Sequence, residues 1–141
     1  MKRTASAQWT GDLNSGAGIL STASGVLSST PYSFKSRFEQ GTGTNPEELL
    51  AAAHAGCFTM ALSLILGQAG LKPETLETTC TISLEKEGEG FTITESHLKL
   101  TGKVPGASQE AFDNAVQQAK SGCPVSKLYK TNITLESTLE A

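Results

Sequence analysis

Apolar and polar positions follow three different rhythms along this chain. Between Leu49 and Leu66 the residues are Leu, Ala, Gly, Met, Phe and Ile, interrupted only by His54, Cys57, Thr59 and Ser63, so no broad polar face remains. From Leu76 the rhythm is two: Leu76, Thr78, Cys80, Ile82 and Leu84 fall on one side, and Glu77, Thr79, Thr81, Ser83 and Glu85 on the other. From Phe112, the set Phe112, Ala115, Val116 and Ala119 returns at helical spacing. The first rhythm predicts a helix buried on nearly every side, the second a half-buried strand and the third an amphipathic helix.

Punctuation residues set the limits. Asn45 is a good N-cap, Pro46 suits the first helical position, and Glu47 and Glu48 face the positive end of the dipole, so the long helix begins there and ends near Gly67 or Gly70, before Pro73. Glu48 is the better capping-box partner for Asn45. Upstream, Thr4 to Trp9 and Gly18 to Thr22 flank a run of turn formers and predict a hairpin. After Pro31, Tyr32, Phe34 and Phe38 alternate with Ser33, Lys35 and Arg37, which suits a strand carrying Arg37 on the face opposite the aromatics. Downstream, Glu87 to Gly90 turns the strand back into Phe91 to Leu100, whose phase slip predicts a bulge near Glu95 to His97. Ser108 caps the amphipathic helix, Cys123 to Ser126 restarts a short helical turn, and Thr131 to Leu139 reads as a last strand. This order gives an α+β class with antiparallel sheet in a single domain, 1–141. One domain of 141 residues leaves such an apolar helix partly uncovered, so a second copy is expected to cover it as a homodimer.

Composition removes several classes. A net charge of -3 with scattered lysines and arginines offers no stripe for nucleic acid. Met1-Lys2-Arg3 is followed by polar residues rather than an apolar signal core, so a cytoplasmic protein is expected. The Leu49 to Leu66 run is Ala- and Gly-rich, carries His54 and lacks basic flanks, which favours a buried soluble helix over a membrane span. Three isolated cysteines, Cys57, Cys80 and Cys123, do not make a disulfide scaffold in a reducing compartment. With no CxxC or HxxxH spacing, and no Gly-rich loop between strand and helix, neither a metal nor a nucleotide is expected.

Cys57 is either a small hydrophobe in its helix or a nucleophile, and a nucleophile at mid-helix needs a cation from elsewhere in the fold. Arg37 is that candidate, and Glu47 could hold it in a bidentate pair. Glu47 and Cys57 stand ten residues apart, a rise of roughly 15 Å, and the Glu47 side chain leans away toward the N-terminus. A site using Arg37, Glu47 and Cys57 is therefore expected to assemble across a dimer interface. Cys123, as N-cap of a turn opened by Pro124, is either activated by the exposed N–H groups or a packing residue. Cys80 points inward on its strand as a core residue. His54 shares the Cys57 helix face and is either a base for the thiol or a hydrogen-bonded core histidine.

The segments Arg37-Phe38-Glu39, Thr44 to Leu49, Ala52 to Leu62 and Gly122 to Ser126 together resemble the OsmC/Ohr family of thiol-dependent hydroperoxide reductases, on its OsmC (osmotically inducible protein C) side. The resemblance runs along essentially the whole chain. It implies an OsmC-like fold in an intertwined homodimer, with Cys57 peroxidatic, Cys123 resolving, and Arg37 with Glu47 as the activating pair at two interface sites. The two sulfurs are then expected to come together as the subunits wrap. The implied activity is reduction of organic hydroperoxides, and less well of hydrogen peroxide, to alcohols in oxidative and osmotic stress defence. No bound cofactor is implied, only an external dithiol such as a lipoyl protein or thioredoxin. The rival from the residues is a dimeric redox-sensing or hydrophobic-ligand-binding protein without turnover. Cys80 matches no family motif.

Overall fold

The computed structural model describes residues 1–140 and divides into two compact units, Met1–Leu49 and the chain from Leu50 onward. Residue 141, the last of the expected domain, lies outside the described residues.

In the first unit, strands β1 (Ala5–Thr10), β2 (Ala17–Thr22) and β3 (Thr30–Tyr32) form an antiparallel sheet in the order β1-β2-β3. The expected hairpin pairs Thr10 with Ala17, and the Asp12 carboxylate secures its loop by accepting the Ser15 N–H and hydroxyl, each at 2.7 Å. Gly18 lies between Trp9 and Tyr32, whose rings meet edge-on at 5.5 Å. A Cβ there would come within 2.4 Å of Tyr32, so no larger residue fits without moving both rings.

The strand expected to continue through Arg37 stops at Tyr32. Residues Phe34–Phe38 instead form a short helix, α1. Its cause is local: the Ser33 hydroxyl accepts the Ser36 N–H at 3.2 Å, and the Ser36 hydroxyl accepts the Ser33 N–H at 2.8 Å, a closed capping box that the alternating aromatics concealed. Phe34 and Phe38 then stack one turn apart, with centroids 5.0 Å apart, and Arg37 projects from a helix rather than a strand. Gly43, at φ +97°, and the Thr44 N–H bonded to the Pro31 carbonyl at 2.9 Å bring the chain into α2 (Pro46–Gln68). Asn45 caps α2 by accepting the Glu48 N–H at 2.8 Å, while the Glu48 carboxylate accepts the Thr44 hydroxyl at 2.7 Å.

The second unit contains the rest of α2 and a three-stranded sheet of β4 (Thr75–Glu87), β5 (Gly90–Lys103) and β6 (Asn132–Glu140). β4 and β5 form the expected hairpin, turning at Gly88 with φ +63°. The pairing passes from Ser83–Glu95 to Leu84–Ile93, so Thr94 is the extra residue, next to the predicted bulge. α3 (Gln109–Gly122) is capped by Ser108, and α4 (Pro124–Leu128) by Cys123. The expectation of purely antiparallel sheet fails at β6, which pairs parallel to β5 from Glu95–Asn132 to Lys103–Glu140. α3 and α4 form the crossover between them, and a crossover returns the chain in the same direction.

His54, Phe58, Leu62 and Leu66 recur every four residues on α2 and are fully buried. Phe58, Leu62 and Leu66 share a core with Leu98 and Leu100 of β5 and with Phe112, Val116 and Ala119 of α3. The opposite face of α2 is open: Met60 is 77% and Leu64 62% exposed. Burial on nearly every side is therefore not met within one chain, because one sheet-and-helix layer covers only one stripe of a cylinder. By length and composition alone α2 would also suffice to cross a membrane.

Candidate functional site

The functional side chains fall into two groups, one in each unit. In the first unit α1 presents Arg37 to Glu47 on the first turn of α2. The guanidinium donates from Nε at 3.0 Å and from Nη2 at 2.9 Å, both to Glu47 Oε1. The predicted pairing is thus present, but as a fork on one oxygen; Glu47 Oε2 is buried and has no hydrogen-bond partner. The Asn45 side-chain amide donates to the Ser36 carbonyl at 2.9 Å and ties α1 to the start of α2. Arg37 lies 5.3 Å above the Phe38 ring and borders a cavity of about 330 Å³ lined by Trp9, Leu13, Tyr32, Phe34 and Phe38. An aromatic cavity with one guanidinium at its wall suits an apolar molecule carrying a polar, electron-rich end.

In the second unit the start of α4 brings two cysteines together. Cys123 is fully buried; its Sγ accepts the Ser126 N–H at 3.4 Å and its S–H donates to Ser126 Oγ at 3.1 Å. This is the cap predicted from Cys123-Pro124. The neighbouring Val125 N–H donates to Cys57 Sγ at 3.5 Å, so one short helix end holds both sulfurs. Successive backbone N–H groups, of Val125 and Ser126, point at Cys57 and Cys123 respectively, so the two thiols are neighbours at the start of α4. They meet within one chain, which corrects the expectation that two copies must wrap to unite them: Cys57, on the part of α2 beyond Leu49, and α4 belong to the same unit. Burial pushes the Cys57 thiol above its ordinary range, and the Cys123 sulfur beside it adds to that; the Val125 N–H opposes them. Burial likewise raises Cys80.

His54 does not turn toward Cys57. Its Nε2 lies 2.8 Å from Ser126 Oγ and its Nδ1 2.6 Å from Ser96 Oγ, with the Tyr129 ring edge-on at 5.1 Å. Cys80 Sγ lies 3.3 Å from Ser96 Oγ. Burial holds His54 below its ordinary value, so the imidazole is neutral at neutral pH. Sequence reasoning gave Ser126 and Ser96 no role of their own. The position of Ser126, three residues after a capping cysteine, was the available signal; nothing local marked Ser96, 42 residues from His54 in sequence. Among the described residues no group of three or more His, Cys, Asp or Glu side chains is arranged to hold a metal ion.

Residues 39–138 match the family described as OsmC-like protein. The chain is 52% identical over 135 residues to a protein of Escherichia coli K12 named Peroxiredoxin OsmC, covering 96% of this chain and 94% of that one. It is 37% identical over 103 residues to Organic hydroperoxide resistance protein-like 2 of Staphylococcus epidermidis, covering 72% and 70% of the two chains. Among solved structures, the organic hydroperoxide resistance protein OhrB of Bacillus subtilis superposes with a TM-score of 0.68 at 26% identity, over 97% of this chain and 98% of that one.

Proposed function

The chain belongs to the OsmC-like protein family and is a cysteine-based peroxidase, and from that premise we propose that it reduces organic hydroperoxides to alcohols through Cys57 and Cys123. The observation that carries this reading is the meeting of the two thiols at the start of α4. Cys57 thiolate attacks the terminal peroxide oxygen: an S–O bond forms, the O–O bond breaks, and the alkoxide leaves and takes a proton to become the alcohol. The sulfenic acid on Cys57 then condenses with Cys123, releasing water and leaving a disulfide. An external dithiol, a lipoyl-type protein or thioredoxin, reopens it by exchange. No resident cofactor has a step in this cycle.

Within its own unit the Cys57 thiol is held in the protonated form, so a cation has to reach it. Arg37 is the residue proposed for that role. In the assembled dimer its guanidinium lowers the thiol pKa and stabilises charge developing on the peroxide, while Glu47 holds it in place. The aromatic cavity beside Arg37 favours organic hydroperoxides over hydrogen peroxide, whose small polar body gains nothing from burial there. The open Met60–Leu64 face of α2 is the surface on which a second copy packs. Work on peroxides in the cytoplasm during oxidative or osmotic stress fits three cysteines isolated in the sequence, too few and too scattered for a disulfide scaffold.

The test is steady consumption of cumene hydroperoxide with added dithiol. The wild-type chain turns over repeatedly and Cys57→Ser loses at least about a hundredfold in rate. A redox sensor would stop after one equivalent and an apolar-ligand binder would consume none, and unchanged consumption by Cys57→Ser would end the assignment of this residue.

A further inference from the structure

Three thiols, two serines and one histidine form a continuous line in the second unit, half-buried at its two ends and buried between them: Cys57 against Cys123, then Ser126, His54, Ser96 and Cys80. The two-thiol cycle above uses only its first two members. His54 and Ser96 are fully buried and Ser126 nearly so. A buried hydroxyl–imidazole chain costs stability unless every member is paired, and here every member is.

The line can be hydrogen-bonded in either direction, and the direction that starts from the Cys123 S–H, 3.1 Å from Ser126 Oγ, fixes the other protons. Cys123 S–H donates to Ser126 Oγ at 3.1 Å, which leaves the Ser126 O–H to donate to His54 Nε2 at 2.8 Å. The neutral imidazole then carries its proton on Nδ1 and donates to Ser96 Oγ at 2.6 Å, and the Ser96 O–H donates to Cys80 Sγ at 3.3 Å. An unprotonated ring nitrogen thus stands one hydroxyl away from the Cys123 thiol proton.

We propose that His54 accepts the Cys123 proton through the Ser126 hydroxyl during the step that joins Cys123 to oxidised Cys57. This inference rests on the peroxidase reading above. As Cys123 Sγ bonds to the sulfenyl sulfur, the S–O bond of Cys57 breaks; the Cys123 sulfur is oxidised and the Cys57 sulfur reduced. The Cys123 proton passes to Ser126 Oγ and the Ser126 proton to His54 Nε2, while the departing hydroxide takes a proton from solvent and leaves as water. The imidazolium afterwards returns its extra proton to solvent, since burial disfavours its charged form. His54 and Ser126 are positioning residues here: both act through Cys123, and neither meets the peroxide. The titratable groups facing His54 are Cys80 from β4, Cys123 across Ser126 from α4, and Tyr129 after α4; Ser96 is the contact from β5.

The test follows the second step alone. Reduced full-length protein receives one equivalent of cumene hydroperoxide, and timed samples are quenched with a sulfenic-acid trap and weighed intact, between about pH 5 and about pH 8. In the wild type, disulfide formation is level through the neutral range and falls only on the acid side, as His54 protonates. His54→Asn and Ser126→Ala accumulate trapped sulfenic acid, form the disulfide about 100-fold more slowly at neutral pH, and gain about tenfold per pH unit as hydroxide replaces the lost base. Ser126→Thr, which keeps the hydroxyl, restores the level profile. Disulfide formation in both His54→Asn and Ser126→Ala with the wild-type pH profile overturns the relay and leaves the peroxidase reading standing. Wild-type Cys57 that takes up no oxygen overturns that reading and the relay with it.

Discussion

Cys57, half-buried beside a second thiol with the Val125 N–H opposing the upward push on its pKa, needs a cation in the proposed mechanism, and Arg37 is the residue proposed to supply it. Two guanidinium nitrogens converge on Glu47 Oε1, a contact that an ammonium cannot reproduce with the same reach and direction. Arg37→Lys is therefore expected to slow oxidation of Cys57 about tenfold or more despite the retained charge, read as single-turnover loss of hydroperoxide; a wild-type rate in that variant would remove the fork from the mechanism. His54 has its own consequence for stability. Its folded-state pKa is depressed, so its contribution is fully present above the unfolded value of about 6.5 and is lost as pH falls toward the folded value. Urea unfolding below about pH 6.5 should show stability falling by at most about 1.4 kcal/mol per pH unit from this group, and His54→Asn should lack that component. At this scale the sequence was informative about identity and silent about partners. Cys57, Cys123, Arg37 and Glu47 stood out in their motifs, but that His54 turns to Ser126 and Ser96 depends on residues 72 and 42 positions away.

Elements were legible wherever one periodicity or one cap dominated. The start of α2 at Pro46, the alternation of β4, the Ser108 cap of α3 and the Cys123 cap of α4 all follow from local chemistry. Two elements were misread because a local signal competed with a longer one. Phe34 and Phe38 suit either an alternating strand or one helical turn, and the reciprocal Ser33–Ser36 hydrogen bonds decide for the helix. β6 carries the same alternation whether it pairs parallel or antiparallel, and only the crossover through α3 and α4 sets its direction. Gly43 marks the junction that delivers α2 to Arg37: at φ +97° an added Cβ would lie 2.0 Å from the Pro31 carbonyl oxygen. Gly43→Ala should destabilise the chain by about 1–3 kcal/mol in urea unfolding and weaken hydroperoxide turnover, whereas Gly56→Ala, with open space around its Cβ, should keep the fold.

For the whole molecule, the exposed stripe containing Met60 and Leu64 has the helix geometry and apolar character of an interface, on a helix otherwise anchored by Phe58, Leu62 and Leu66. If a second copy packs on this stripe as proposed, Met60→Lys with Leu64→Lys leaves only monomers in sedimentation and reduces peroxide turnover, while the second unit keeps its core. An unchanged dimer would place the interface elsewhere. The sequence anticipated a partner from the apolar character of α2, yet it also required that partner to join the sulfurs, which the single chain already does. The most direct test of the central claim is peptide mapping after one equivalent of organic hydroperoxide, without reductant. A crosslink is expected between the Cys57 and Cys123 peptides of the same chain, with Cys80 still free to alkylate. A crosslink through Cys80, or three unmodified thiols with the hydroperoxide intact, would contradict it.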